Sequence, residues 1–168
     1  MFKESFFIAI FIEKLEAMDY QFEISKLSRQ VLLGLTKDLT EEQYNHIPNG
    51  FNNNVAWNLG HILVTQQLLI HKLSQAALCI DESLVKKFGK GSVPQTDYKL
   101  AEIETVKSQL FSTIETTKRL YQQGAFKAFT IYPTSLGYTI NNVEESIAFS
   151  NFHEGLHLGV IMSLKKLV

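Results

Sequence analysis

Cysteine is almost missing from this chain. Cys79 stands alone among 168 residues, which excludes an internal disulfide and fits a reducing, cytoplasmic setting. Its Ala-Ala-Leu approach shows no sign of thiolate activation. Charge of one sign is missing too: 16 basic side chains oppose 17 acidic ones for a formal net charge of −1. The Lys and Arg residues are scattered, so there is no electrostatic footprint for nucleic acid. Long hydrophobic runs are absent. The stretch from Phe6 to Ile12 is followed at once by Glu13-Lys14-Leu15-Glu16 and has no small-residue cleavage site. It falls far short of the roughly 20 apolar residues that span a bilayer. Only three prolines interrupt a chain that is 45% hydrophobic, enough for one globular domain with a proper core and too little for two.

What the chain does have is His153-Glu154-Gly155-Leu156-His157 close to its end. In a helix, the two imidazoles lie one turn apart. At about 100° per residue, Phe149, His153, Leu156, His157, Val160, Leu164 and Leu167 share one arc of about 100°, the width of a core-facing stripe. Both histidines are therefore expected to point inward. Two adjacent imidazoles without partners would cost roughly 1–3 kcal/mol per unsatisfied group, and a shared metal ion removes that cost. Taken literally the motif is that of the zincin proteases, with two histidines on zinc and Glu154 as general base. Catalytic zinc usually takes three protein ligands, and no His, Asp, Glu or Cys follows His157. A third ligand must lie upstream. Glu154 sits about 60° beyond His157 on the wheel, which predicts a solvated or rim carboxylate.

Upstream, His61 has the right surroundings. It follows the Asn52-Asn53-Asn54 cluster, a natural N-cap, and shares an apolar helix face with Trp57, Val64 and Leu68. His71 points about 80° away on the same wheel and His46 falls in a loop; both read as surface histidines. Three neutral imidazoles suit zinc, nickel or copper rather than magnesium or calcium. They leave a coordination position open for water or substrate.

Four long helical segments are predicted, at 22–39, 54–76, 97–122 and 142–167. The third is expected to start at the cap-like cluster Pro94-Gln95-Thr96-Asp97. Between the last two, Phe129–Tyr132 and Gly137–Ile140 are β-prone around Pro133 and Gly137. The expected fold is all-α, a four-helix bundle with the metal site in its core. Residues 1–21 read as a helical extension, because the stripe Phe7, Ile8, Phe11, Leu15, Met18 and Phe22 lies about 150° from the stripe Ile24, Leu27, Val31, Leu35 and Leu39. On the last helix Ala148, Gly155 and Gly159 form a small-residue groove beside Phe152 and Met162, open to close approach by helix one or by another subunit. A homodimer using the N-terminal segment is expected.

The pattern Asn54-x-x-Trp57-Asn58-Leu59-Gly60-His61-Ile62, together with Phe152-His153-Glu154-Gly155-Leu156-His157-Leu158-Gly159, resembles the DinB-like (DNA-damage-inducible, or YfiT-like) metal-binding superfamily over about residues 22–168. The resemblance implies a four-helix bundle that binds nickel or zinc through three histidines, here His61, His153 and His157. It also implies, for some relatives, thiol transfer or isomerisation with a low-molecular-weight thiol. Two functions are therefore open. One is a metal-dependent enzyme for thiol transfer or hydrolysis on a small molecule, with Glu154, Asn58 and Tyr132 as candidate supporting groups. The other is a non-catalytic metal-binding or stress-associated protein with a structural metal. A pocket beside the open coordination position would favour the first.

Overall fold

Asn54 accepts a hydrogen bond from the Trp57 amide and Asn142 one from the Glu145 amide, each satisfying an N–H that a helix start leaves free. These caps begin the two helices that carry the histidines. In the computed structural model, which describes the backbone of residues 2–168 and the side chains from Met18 onward, the elements are α1 (Phe2–Thr36), α2 (Glu41–Asn45), α3 (Val55–Gln66), a π-helical turn (Gln67–Lys72), α4 (Glu82–Phe88), α5 (Leu100–Gln122), the strands β1 (Tyr132–Pro133) and β2 (Thr139–Ile140), and α6 (Val143–Leu164). The fold is all-α. Helices α5 and α6 each pack on both α1 and α3. No helix among the described residues is long and apolar enough to cross a membrane.

The β-prone segments form a small antiparallel hairpin, with Tyr132 opposite Ile140 and Pro133 opposite Thr139. Gly137 takes a φ of +83° in its turn, a conformation that a side chain disfavours. Helix α5 starts at Leu100, three residues later than expected, because Tyr98 is buried and tied in both directions to the Asn45 side chain.

Helix α1 runs through residue 21 without a break. Its buried positions are Met18, Phe22, Ser25, Arg29, Leu32 and Thr36, alternating steps of four and three that keep one face inward. Met18 and Phe22 thus continue into a core stripe that contains polar residues. Much of the second stripe lies outside instead, with Ile24 51%, Leu27 61% and Val31 40% exposed, while Leu39 at its end packs against the core. The upstream part of the first stripe, Phe7 to Leu15, lies outside the described side chains.

Helix α6 departs from expectation in the same sense. It buries Val143, Ile147, Ser150, Glu154, Ile161 and Leu164, while Leu156 on the expected arc, and Leu167 just beyond the helix, are exposed. The core face is turned by about a quarter of a revolution from the apolar arc. Arg29 explains both rotations: fully buried, its Nε donates to Glu154 Oε2 at 3.2 Å, and its Nη1 to the Leu110 carbonyl and Thr113 Oγ1. A buried charge must be paired, and this pair sets the facing of α1 and α6 together.

Candidate metal centre

The quarter-turn brings His153 and His157 to the edge of the core, where α6 faces α3 and His61. The three rings converge, with centroids 4.5 to 5.2 Å apart. One nitrogen from each lies within 4.8 Å of the other two, a group able to hold a metal ion. His61 is buried and the other two are half-buried.

Two of the three outer nitrogens are already engaged. His61 Nδ1 lies 2.6 Å from the Phe88 carbonyl, an acceptor only, so Nδ1 carries the proton and Nε2 the lone pair. Trp57 stacks on the same ring at 4.5 Å and is anchored through its indole N–H to Ser92. His157 Nδ1 lies 2.7 Å from Asn58 Oδ1, and the Asn58 amide in turn donates to Asn53 Oδ1 and the Asn54 carbonyl. Those two donations fix the amide so that its oxygen faces the ring. His157 Nε2 is thereby left as a lone pair. It lies 3.2 Å from His153 Nε2, close to the separation of about 3.3 Å between two ligands of one tetrahedral ion at 2.0–2.1 Å. The residues fit a transition metal: two imidazoles are oriented by an outer partner, and one nitrogen of each of the three turns to a common point.

Protonation favours the same state. Burial, followed by repulsion from His61, lowers His153 to about 4. Burial, followed by repulsion from His153 and His61, lowers His157 to about 3. Burial also lowers His61, against the opposing pull of the Phe88 carbonyl. All three imidazoles are neutral near pH 7, as metal ligation requires.

Glu154 does not join them. It is buried against Arg29 rather than exposed at the rim, because one residue along a helix turns a side chain by about 100° away from His153. His71 is also buried, contrary to expectation. Its nitrogens are 2.9 Å from the Ala77 carbonyl and 2.8 Å from Thr117 Oγ1, so the loop after the π-helical turn and α5 satisfy it away from the metal centre. His46 is exposed. Cys79 lies 3.8 Å from His71 Nδ1, but that nitrogen faces a carbonyl and burial raises the thiol, so it is no activated nucleophile.

Beside the histidines opens a cavity of about 330 Å³. His61 and His153 line it; Thr65 comes from α3, Leu68 and Leu69 from the π-helical turn, Leu73 from just after it, Phe149 from α6, and Tyr132, Thr134, Ser135 and Leu136 from the hairpin. Tyr138 stacks parallel on Phe149 at 6.2 Å, seating the hairpin over α6. The role of the π-helical turn had no counterpart in the periodicity of the sequence, although such turns recur at functional sites.

No curated protein matches the chain. The family model of the DinB superfamily matches residues 26–161, a span that contains His61, His153 and His157. By that match over most of its length, the chain belongs to the DinB superfamily.

Proposed function

We propose that this protein is a metal-dependent enzyme acting on a small molecule, with nickel or zinc held by His61, His153 and His157. The cavity at His61 and His153 carries this reading: a purely structural metal is closed off by protein ligands, whereas a catalytic one keeps an open position next to a pocket. When bound, such an ion supplies Lewis acidity and lowers the pKa of a coordinated water or thiol. The chain's own residues do the positioning. Phe88 and Asn58 hold the imidazole tautomers, Trp57 holds the plane of His61, and the leucines and Phe149 keep the cavity apolar.

Thiol transfer is favoured over zincin-type hydrolysis. No acidic side chain lines the cavity among the described residues, and Glu154 is committed to Arg29, so the carboxylate base of that hydrolysis is missing. A thiol activated by the ion needs no such base. The test is cobalt substitution: the visible spectrum of the loaded protein should change on adding a small thiol. A spectrum unmoved by thiols at saturating concentration would support the structural-metal alternative instead.

We also infer a homodimer. The exposed Tyr20, Ile24, Leu27 and Val31 on α1 repeat at steps of four and three, the spacing that a partner helix reads. Phe152, Leu156 and Met162 are exposed on α6, and a Cβ added at Gly155 or Gly159 meets nothing within 4 Å. Among the described residues nothing fills the small-residue groove, which supports a second copy as its occupant.

A further inference from the structure

The lining of the cavity holds charged and hydroxyl groups as well as the histidines. Lys72, at the close of the π-helical turn, and Lys90, in the Gly89-Lys90-Gly91 loop after α4, both line it and both are exposed. Neither has a hydrogen-bond or ion-pair partner among the described residues, whereas Lys26 on α1 and Lys107 and Lys118 on α5 are paired, with Glu115, Glu104 and Asp19 respectively. Among the described residues the hydroxyls of Tyr132 and Ser135 line the same cavity without partners, while that of Thr134 is spent on the Tyr138 carbonyl. Apart from Thr65 and the histidines, the rest of the lining is leucine and Phe149. Resting on the metal reading above, three neutral imidazoles also leave the charge of a divalent ion wholly uncompensated beside the cavity.

We propose that the cavity recognises an amphiphilic small molecule whose distal end is an oxyanion, a carboxylate or a phosphate monoester, received by Lys72, Lys90 and the Tyr132 and Ser135 hydroxyls. An apolar body lies along the leucines and Phe149, and a metal-coordinating group reaches His61 and His153. Two ammonium groups without counter-ions in a cavity without carboxylates attract negative charge, and hydroxyls supply the directed hydrogen bonds that ammonium groups lack.

The experiment compares mercaptohexanoate, mercaptohexyl phosphate and the uncharged mercaptohexanol by calorimetric titration of zinc-loaded protein, with zinc content measured separately by elemental analysis. The expected result is tighter binding of an anionic thiol than of mercaptohexanol by more than tenfold. The tighter of the two anions identifies the oxyanion. In Lys72→Met and Lys90→Met, whose exposed positions leave the core untouched, the advantage should shrink by about fivefold each, the upper end for an exposed charge pair. Raising the salt should shrink it as well. Equal affinities for all three thiols, or an anion preference that survives the double variant, would overturn the proposal. Zinc-loaded protein that binds mercaptohexanol as well as the anions leaves the metal site standing and defeats the oxyanion alone; protein that takes up no zinc defeats the metal reading itself.

Discussion

His157 is held at both ends of its ring, by Asn58 on Nδ1 and by the convergence with His153 on Nε2. Replacing it with Ala removes one of three ligands but little of the core. Zinc or nickel at 100 times its dissociation constant should stabilise the natural chain by about 2.7 kcal/mol, read as a rise in melting temperature. His157→Ala should show almost no such rise while keeping its helical circular dichroism; equal shifts in both would reject His157 as a ligand. Asn58→Ala leaves the ligand set intact and frees the ring, so metal affinity should fall by about 10–100-fold. Glu154 gives the opposite pattern. Glu154→Leu strands the buried Arg29 guanidinium, which should cost about 3–5 kcal/mol of stability with metal stoichiometry unchanged. Loss of metal at unaltered stability would instead place that carboxylate at the ion.

The histidines also set a pH dependence for the metal-free chain. Their native values, about 4 for His153 and about 3 for His157, lie below the unfolded value near 6.5. Between these limits the unfolded chain binds more protons, so stability rises with pH there. Denaturant titrations should show stability falling as pH drops from about 6.5 toward 3–4, with less fall in the His153→Ala/His157→Ala double variant. An identical profile in both would show that other groups govern acid unfolding.

At the scale of elements, Gly60 couples α3 to α4. A Cβ at this position would overlap the Phe88 ring, and the Phe88 carbonyl is the partner of His61 Nδ1. Gly60→Ala should therefore cost about 1–3 kcal/mol through overpacking and weaken metal binding, because α4 must move to relieve the clash. A variant with unchanged melting temperature and metal affinity would show that α4 gives way without disturbing His61. The same helices show how far local pattern reaches. The Asn54 cap, the β-prone turn around Gly137 and the helical pairing of His153 with His157 depend on residues a few positions apart and are legible in the sequence, as is the helix starting near Asn142. The facing of α1 and α6 is not: Arg29, Ser146, Ser150 and Glu154 belong to the buried set, yet on a helical wheel they mark a solvent side.

The whole molecule presents two apolar helix faces, on α1 and α6, to solvent. Light scattering should give a dimer for the full chain, and Ile24→Glu/Leu27→Glu should shift it to monomer, since charges placed in a helix seam are costly to desolvate. A monomeric full chain defeats the dimer, and a dimer unchanged by the double substitution moves its interface away from α1. The sequence by itself determined the all-α class, the helix-bearing segments and the three imidazoles, because propensity, capping and i, i+4 spacing act over a few residues. Only the tertiary structure decided that His61 meets His153 and His157, that Glu154 turns to Arg29, that Thr117 and Ala77 claim His71, and that a cavity with two free lysines opens beside the histidines. Those outcomes depend on partners far apart in the chain, 125 residues for Arg29 and Glu154, and a buried polar group takes its role from the partner that satisfies it rather than from its neighbours in sequence.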